Sequence, residues 1–166
     1  IDALLALSRL SSQPLARQPV DLSQLAKYVA DDLRRQSPGR EVVLHIEPGL
    51  KATGDPTLLR LVIENLLGNA WKYTGRCAQP QIWLERQDPQ SNVYTVRDNG
   101  AGFDMRFADR LFGVFQRLHS ATEFPGTGVG LASVRRIVRR HGGDVWAEAE
   151  VGRGASFHFT LGPPPG

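Results

Sequence analysis

A chain of 166 residues is long enough for one well-packed domain and too short for two of ordinary size. Apolar and aromatic residues at 41% and charged residues at 22% exclude a disordered composition and allow a packed core. A formal charge of +3, carried almost wholly by arginine because the only lysines are Lys27, Lys51 and Lys72, is too small an excess to argue for nucleic acid. Cys77 is the only cysteine, which rules out an intrachain disulfide and a cysteine metal cluster and fits a reducing, cytoplasmic setting. No apolar run approaches the roughly 18 residues that cross a bilayer, and no secretory signal opens the chain. The first residue is Ile1 and the only methionine is Met105, so the expectation is a soluble piece of a longer protein.

In chain order, Ile1, Leu4, Leu5 and Leu7 have approximate helical spacing that Ser11, Ser12 and Pro14 stop, so residues 1–12 read as the tail of a helix that began upstream. Two prolines make 13–20 a linker, and the domain proper is expected over 21–162. Asp21 can cap a helix whose inner face carries Leu22, Leu25, Val29 and Leu33 and which ends near Ser37, Pro38 and Gly39. Val42, Leu44 and Ile46 alternate with Val43 and His45 as in a strand, and a short strand follows around Ala52. Asp55 with Pro56 is a capping acid with proline in the first turn, predicting a helix to about Tyr73. Residues 81–87 and 93–97 form a predicted hairpin about a turn containing Asp88, Pro89, Ser91 and Asn92.

The glycine-punctuated stretch 99–127 is too long for an ordinary connection and is a candidate lid. A helix is predicted over 128–141, with Leu131, Val134, Ile137 and Val138 inward and four arginines outward, ended by Gly142 and Gly143. Strands at 144–149 and 155–161 close the domain, the second with Phe157, Phe159 and Leu161 on one face, and 163–166 is a tail expected to fray. Interleaved helices and strands that finish antiparallel imply an α/β two-layer sandwich: one mixed sheet, mainly antiparallel, with three helices on one face.

Five patterns carry chemistry. On the Asp55 helix, Asn65, Asn69, Lys72 and Tyr73 fall at steps of four and three and share a face, while Leu58, Leu61, Val62, Leu66 and Ala70 supply the apolar side. A solvated face would account for the stripe, although asparagine is a poor helix former and two of them mid-helix weaken that account. Asp98, Asn99, Gly100, Ala101 and Gly102 follow a strand. Glycines there let backbone approach a flat ligand, and an aspartate can accept from an exocyclic amine; an ordinary tight turn has the same composition. Gly126, Thr127, Gly128, Val129, Gly130 and Leu131 open the arginine-faced helix, where amides and the helix dipole favour phosphate, but the spacing and surroundings fit neither a dinucleotide fingerprint nor a Walker loop. Phe112, Phe115 and Arg117 lie within the lid, as a docking element or a small cluster of core residues. Gly152 and Gly154 precede the last strand, where a hairpin turn would also place them.

Asn65-x-x-x-Asn69-x-x-Lys72-Tyr73, Asp98-x-Gly100-x-Gly102, Phe112-x-x-Phe115-x-Arg117, Gly126-x-Gly128-x-Gly130-Leu131 and Gly152-x-Gly154-Ala155-Ser156-Phe157 occur in this order. Together they resemble the N, G1, F, G2 and G3 boxes of the catalytic, ATP-binding domain of two-component sensor histidine kinases, a Bergerat-type fold. The stretch from Gln116 to His119 is similar to that of phytochrome-type kinases. The resemblance covers about 21–161 and makes 1–12 the end of a dimerisation and phosphoacceptor bundle.

The resemblance implies that Asp98 hydrogen-bonds the adenine amine in a pocket shaped by Gly100 and Gly102 and lined by Tyr73 and Phe115. It implies Mg²⁺ on Asn69 with Asn65 beside it, Lys72 at phosphate, and Arg117 balancing charge on the transferred phosphoryl. The segment from Gly126 to Leu131, with Thr127 and Val129 between its glycines, would present amides to the triphosphate and hinge the lid. The partners it implies are a helical phosphoacceptor domain of the same protein, a homodimer in the full-length kinase and a downstream response regulator. The related ATPases and sigma-factor kinases carry a glutamate four residues before the magnesium asparagine, where this chain has Asn65. Glu64 is adjacent but turned about 100° around the helix, so transfer to a histidine supplied from elsewhere is favoured over hydrolysis. None of His45, His119, His141 and His158 fits the family's acceptor pattern.

Overall fold

The computed structural model describes residues 15–87, 92–106 and 130–162. The described elements run β1 (Gln18–Asp21), α1 (Leu22–Gln36), β2 (Val43–Ile46), β3 (Lys51–Gly54), α2 (Pro56–Tyr73), β4 (Gln81–Arg86), β5 (Val93–Asp98), α3 (Gly130–Arg140), β6 (Val145–Glu150) and β7 (Gly154–Thr160). Local chemistry accounts for the helix starts. The Asp21 carboxylate accepts from the Gln24 N–H and Asp55 from Thr57 and Leu58, each satisfying amides that the first turn leaves unpaired.

Five strands pair in the order β2-β4-β5-β7-β6, with β2 parallel to β4 and every other pair antiparallel. The register puts Leu84, Val96, Phe157 and Ala147 in one row and Tyr94, Phe159 and Val145 in the next, all on the face that meets the helices. Over that face α1 packs on β2, α2 on β4 and β5, and α3 on β6. Val62, Ile63, Leu66, Ile137 and Val138 are buried against it. This is the expected two-layer sandwich with three helices on one face. Among the described residues no helix is long and apolar enough to cross a membrane.

The linker expected over 13–20 is corrected at its end. Gln18–Asp21 is a strand, β1, antiparallel to β3, with Val20 opposite Ala52 and buried. A two-stranded ribbon leaves one side of β1 without a ladder, so Pro19 is tolerated there. The expected upstream helix and the tail lie outside the described residues.

His141 ties two helix ends together. Its Nδ1–H donates to the Ile137 carbonyl at 2.8 Å, which leaves Nε2 unprotonated to accept from the Asp55 N–H at 3.0 Å. The Asp55 carboxylate in turn accepts from the Ala16 N–H. Burial holds the His141 pKa below its usual value, so the neutral ring supports the fold above about pH 6.5 and that support is lost as pH falls towards the lowered value. Replacing His141 with alanine opens a cavity and leaves the Asp55 amide unpaired; a loss of about 3 kcal/mol is expected in urea unfolding at pH 7, narrowing on acidification.

Candidate functional site

On α2, Asn65, Asn69, Lys72 and Tyr73 are each half-buried, whereas Leu58, Val62, Leu66 and Ala70 are buried in the core and Leu61 packs half-buried against it. Asn65 has a fixed amide. Its Nδ2 donates to the Leu61 carbonyl at 2.8 Å, which turns Oδ1 towards Gly130, the first residue of α3. A Cβ on Gly130 would stand 2.5 Å from that oxygen. Glu64 lies off this face. Its carboxylate accepts from Arg60 Nε at 2.8 Å, and Arg60 also reaches Asp32 of α1 at 3.2 Å.

At the end of β5, Asp98 is only 5% exposed. Burial pushes its carboxyl up to about 6, against the opposing pull of the Gly100 and Ala155 N–H groups that the carboxylate accepts. The Gly100 bond is 2.8 Å. The turn then runs against the end of α2, where the Ala101 N–H donates to the Tyr73 carbonyl at 2.9 Å, and a Cβ on Gly100 would strike that same carbonyl. Gly102 adopts φ +65° beside the Glu150 and Gly154 carbonyls. Tyr73, Asp98, Gly100 and Gly102, the residues expected at a base pocket, are thus brought together by backbone contacts.

Gly154, read at the sequence level as a turn residue, has a further part. It sits at φ +105° with its Cα against the Asp98 carbonyl, and its neighbour Ala155 donates to the Asp98 carboxylate. The signal was present in the last glycine motif, but its partner was 56 residues distant in sequence. Of the remaining expected residues, Gly130 and Leu131 open α3, with Leu131 packed at the core edge. Phe112, Phe115, Arg117, His119, Gly126, Thr127, Gly128 and Val129 lie outside the described residues.

Among the described residues no group of three or more His, Cys, Asp or Glu side chains could hold a metal. A neutral amide oxygen on α2 is a hard donor of the kind Mg²⁺ takes when waters and phosphates complete its shell, so the donor set fits that ion.

The family described as "Histidine kinase-, DNA gyrase B-, and HSP90-like ATPase" matches residues 54–165. The chain belongs to this family. Among curated relatives, cyanobacterial phytochrome A of Nostoc is 35% identical over 97% of this chain and 21% of its own length. The sensor protein kinase PmrB of Pseudomonas aeruginosa is 33% identical over 87% of the chain and 31% of its own. The chain therefore spans about a fifth of the phytochrome and a third of PmrB. Full-length ShkA, solved with AMPPNP, superposes with a TM-score of 0.76 at 28% identity over 96% of this chain and 34% of that one. The mycobacterial sensor histidine kinase MprB gives 0.71 at 26% identity over 88% and 97%. The chain is thus a catalytic domain of the histidine-kinase type, with the ATPase fold of that family.

Proposed function

We propose that this domain binds ATP with Mg²⁺ and passes the γ-phosphoryl to a histidine on a separate dimerisation domain of the same cytoplasmic kinase, a homodimer that feeds a response regulator. The observation that carries this reading is the buried Asp98 carboxylate at a glycine turn locked to the end of α2, with Glu64 turned away into an ion pair. Asp98 accepts from the adenine amine, and Gly100 and Gly102 keep the base wall free of side chains. Asn69 holds Mg²⁺ with Asn65 beside it. The ion neutralises phosphate charge when bound.

Phosphoryl transfer through a loose transition state needs positioning and charge balance more than covalent help. Lys72 meets the phosphates, Arg117 faces the transferred group, and the amides from Gly126 to Leu131 steady the triphosphate. The bond from phosphorus to the β,γ-bridging oxygen breaks, the bond to the acceptor imidazole nitrogen forms, and ADP leaves.

A clamp-type ATPase would need an activating carboxylate at position 65, and Glu64 is engaged with Arg60 instead. This chain alone is expected to incorporate no label from ATP. With the dimerisation domain of its kinase added in trans, acid-labile phosphohistidine should accumulate on that domain. ATP turnover in the absence of acceptor should stay at background and be unchanged by Glu64→Ala. A robust steady-state ATPase lost in that variant defeats the reading, and ATP binding without phosphohistidine points to a regulatory nucleotide-binding module.

A further inference from the structure

Arg40 lies in the loop between α1 and β2, outside every motif considered so far, and reaches the far end of the nucleotide helix. Its Nη1 donates to the Trp71 carbonyl at 2.6 Å, its Nη2 donates to Thr74 Oγ1 at 3.1 Å, and its guanidinium lies over the Trp71 ring with 4.9 Å to the centroid. Thr74 is fully buried, and its hydroxyl donates onward to the Ala70 carbonyl at 2.8 Å. The last carbonyls of a helix have no partner within it, and a cation there is favoured by the dipole. A two-pronged donor does more than a point charge, because it fixes the orientation of the turn it holds.

That turn is the one carrying Lys72 and Tyr73. With Trp71 and Thr74 held by Arg40, the Tyr73 carbonyl is left for the Ala101 N–H, the bond that fastens the adjacent Gly100 turn, whose own N–H binds Asp98. Arg40, the last turn of α2, Ala101 and Asp98 form one continuous set of contacts.

We propose that Arg40 is a positioning residue for base recognition, setting the last turn of α2 so that Asp98 and Tyr73 keep the spacing an adenine requires. This rests on the assignment of Asp98 to the adenine amine. Arg40 acts through α2 and does not itself touch the nucleotide. The loop from 37 to 40 thereby becomes part of the specificity apparatus, although it contributes no lining residue.

The test is titration of the domain with ATP and with GTP for the wild type, Arg40→Ala, Arg40→Lys and Thr74→Val. Arg40→Ala is expected to weaken ATP binding about tenfold while GTP changes little, so the ATP-to-GTP preference falls by about the same factor. Arg40→Lys keeps the cation but loses the fork and should fall between. Thr74→Val removes one of the two acceptors and should shift the preference in the same direction by a smaller factor. If Arg40→Ala does not fold, these two variants carry the comparison.

An unchanged preference in all variants, or a parallel loss of both nucleotides, means that Arg40 only stabilises the fold and overturns the proposal. A wild-type domain with no preference for ATP instead defeats the assignment of Asp98, a separate outcome visible before any variant is made.

Discussion

Replacing Asp98 with alanine is expected to lower ATP affinity about a hundredfold or more, the largest loss for any single change outside the phosphate groups. The side chain is buried, so an amine brought to it has no water to fall back on, and removing a charged acceptor from such a site costs several kcal/mol of binding. Asp98→Asn should fall short of rescue. The carboxylate already accepts from the Gly100 and Ala155 amides, and an amide NH₂ turned towards any of its three donors is repelled.

The raised carboxyl gives this interaction a pH signature. Because the carboxyl is raised to about 6 and, in the proposed role, its charged form receives the amine, binding should hold above pH 7 and weaken as pH falls through 6. Adenosine, which has no phosphate to titrate, isolates the effect. Its affinity measured by calorimetry between pH 5 and 8 should show the decline in the wild type, and any residual binding should be flat in Asp98→Ala. A flat wild-type profile would remove the buried carboxylate from base recognition.

The same shift acts on the empty fold with the opposite sign to His141. A carboxyl whose folded pKa is raised adds stability as pH falls from about 6 towards its ordinary 3.8, whereas His141 withdraws support over the range below about 6.5. Acid profiles of the Asp98 and His141 variants should therefore diverge from the wild type in opposite directions.

What could be read from the chain beforehand follows from how local each signal is. Asp21 and Asp55 sit beside the amides they cap, so both helix starts are written within four residues. The α2 stripe is equally local, because the helical repeat alone aligns Asn65, Asn69 and Lys72. β1 was hidden because Pro14 and Pro19 read as linker residues, and the partner that makes Gln18–Asp21 a strand lies some thirty residues downstream in β3. Gly154 against Asp98 and Gly130 against Asn65 are contacts between distant segments. Sequence shows only that glycine is present there, not what it makes room for. Order among the glycine motifs identified the family where no single motif did. Arg40 belongs to no motif, and its two acceptors are a helix-end carbonyl and a buried hydroxyl over thirty residues away.

Gly102→Ala is expected to be among the most damaging single substitutions for stability at the described site. Two penalties coincide at this residue. A left-handed φ of +65° disfavours any Cβ by roughly 1–2 kcal/mol. The Cβ would also be driven into the Glu150 carbonyl while standing 2.8 Å from the Gly154 carbonyl, and both are backbone atoms of a sheet that cannot swing aside as a side chain can. Relief requires the turn to lift from the β6–β7 connection, breaking the 2.7 Å bond from the Gly152 N–H to the Ala101 carbonyl and loosening Ala101 from Tyr73. A total of about 4 kcal/mol follows from strain, overlap and a lost bond, and for a domain of this size the melting temperature should drop by roughly 10 °C or more. Gly152→Ala separates the two causes, because that glycine also has a positive φ of +79° but meets nothing within 4 Å. It should cost only the backbone strain of about 1–2 kcal/mol and leave ATP binding intact. Equal losses in the two variants, read by thermal melting with ATP titration of the folded fraction, would mean that close approach to Glu150 is not what demands glycine at 102.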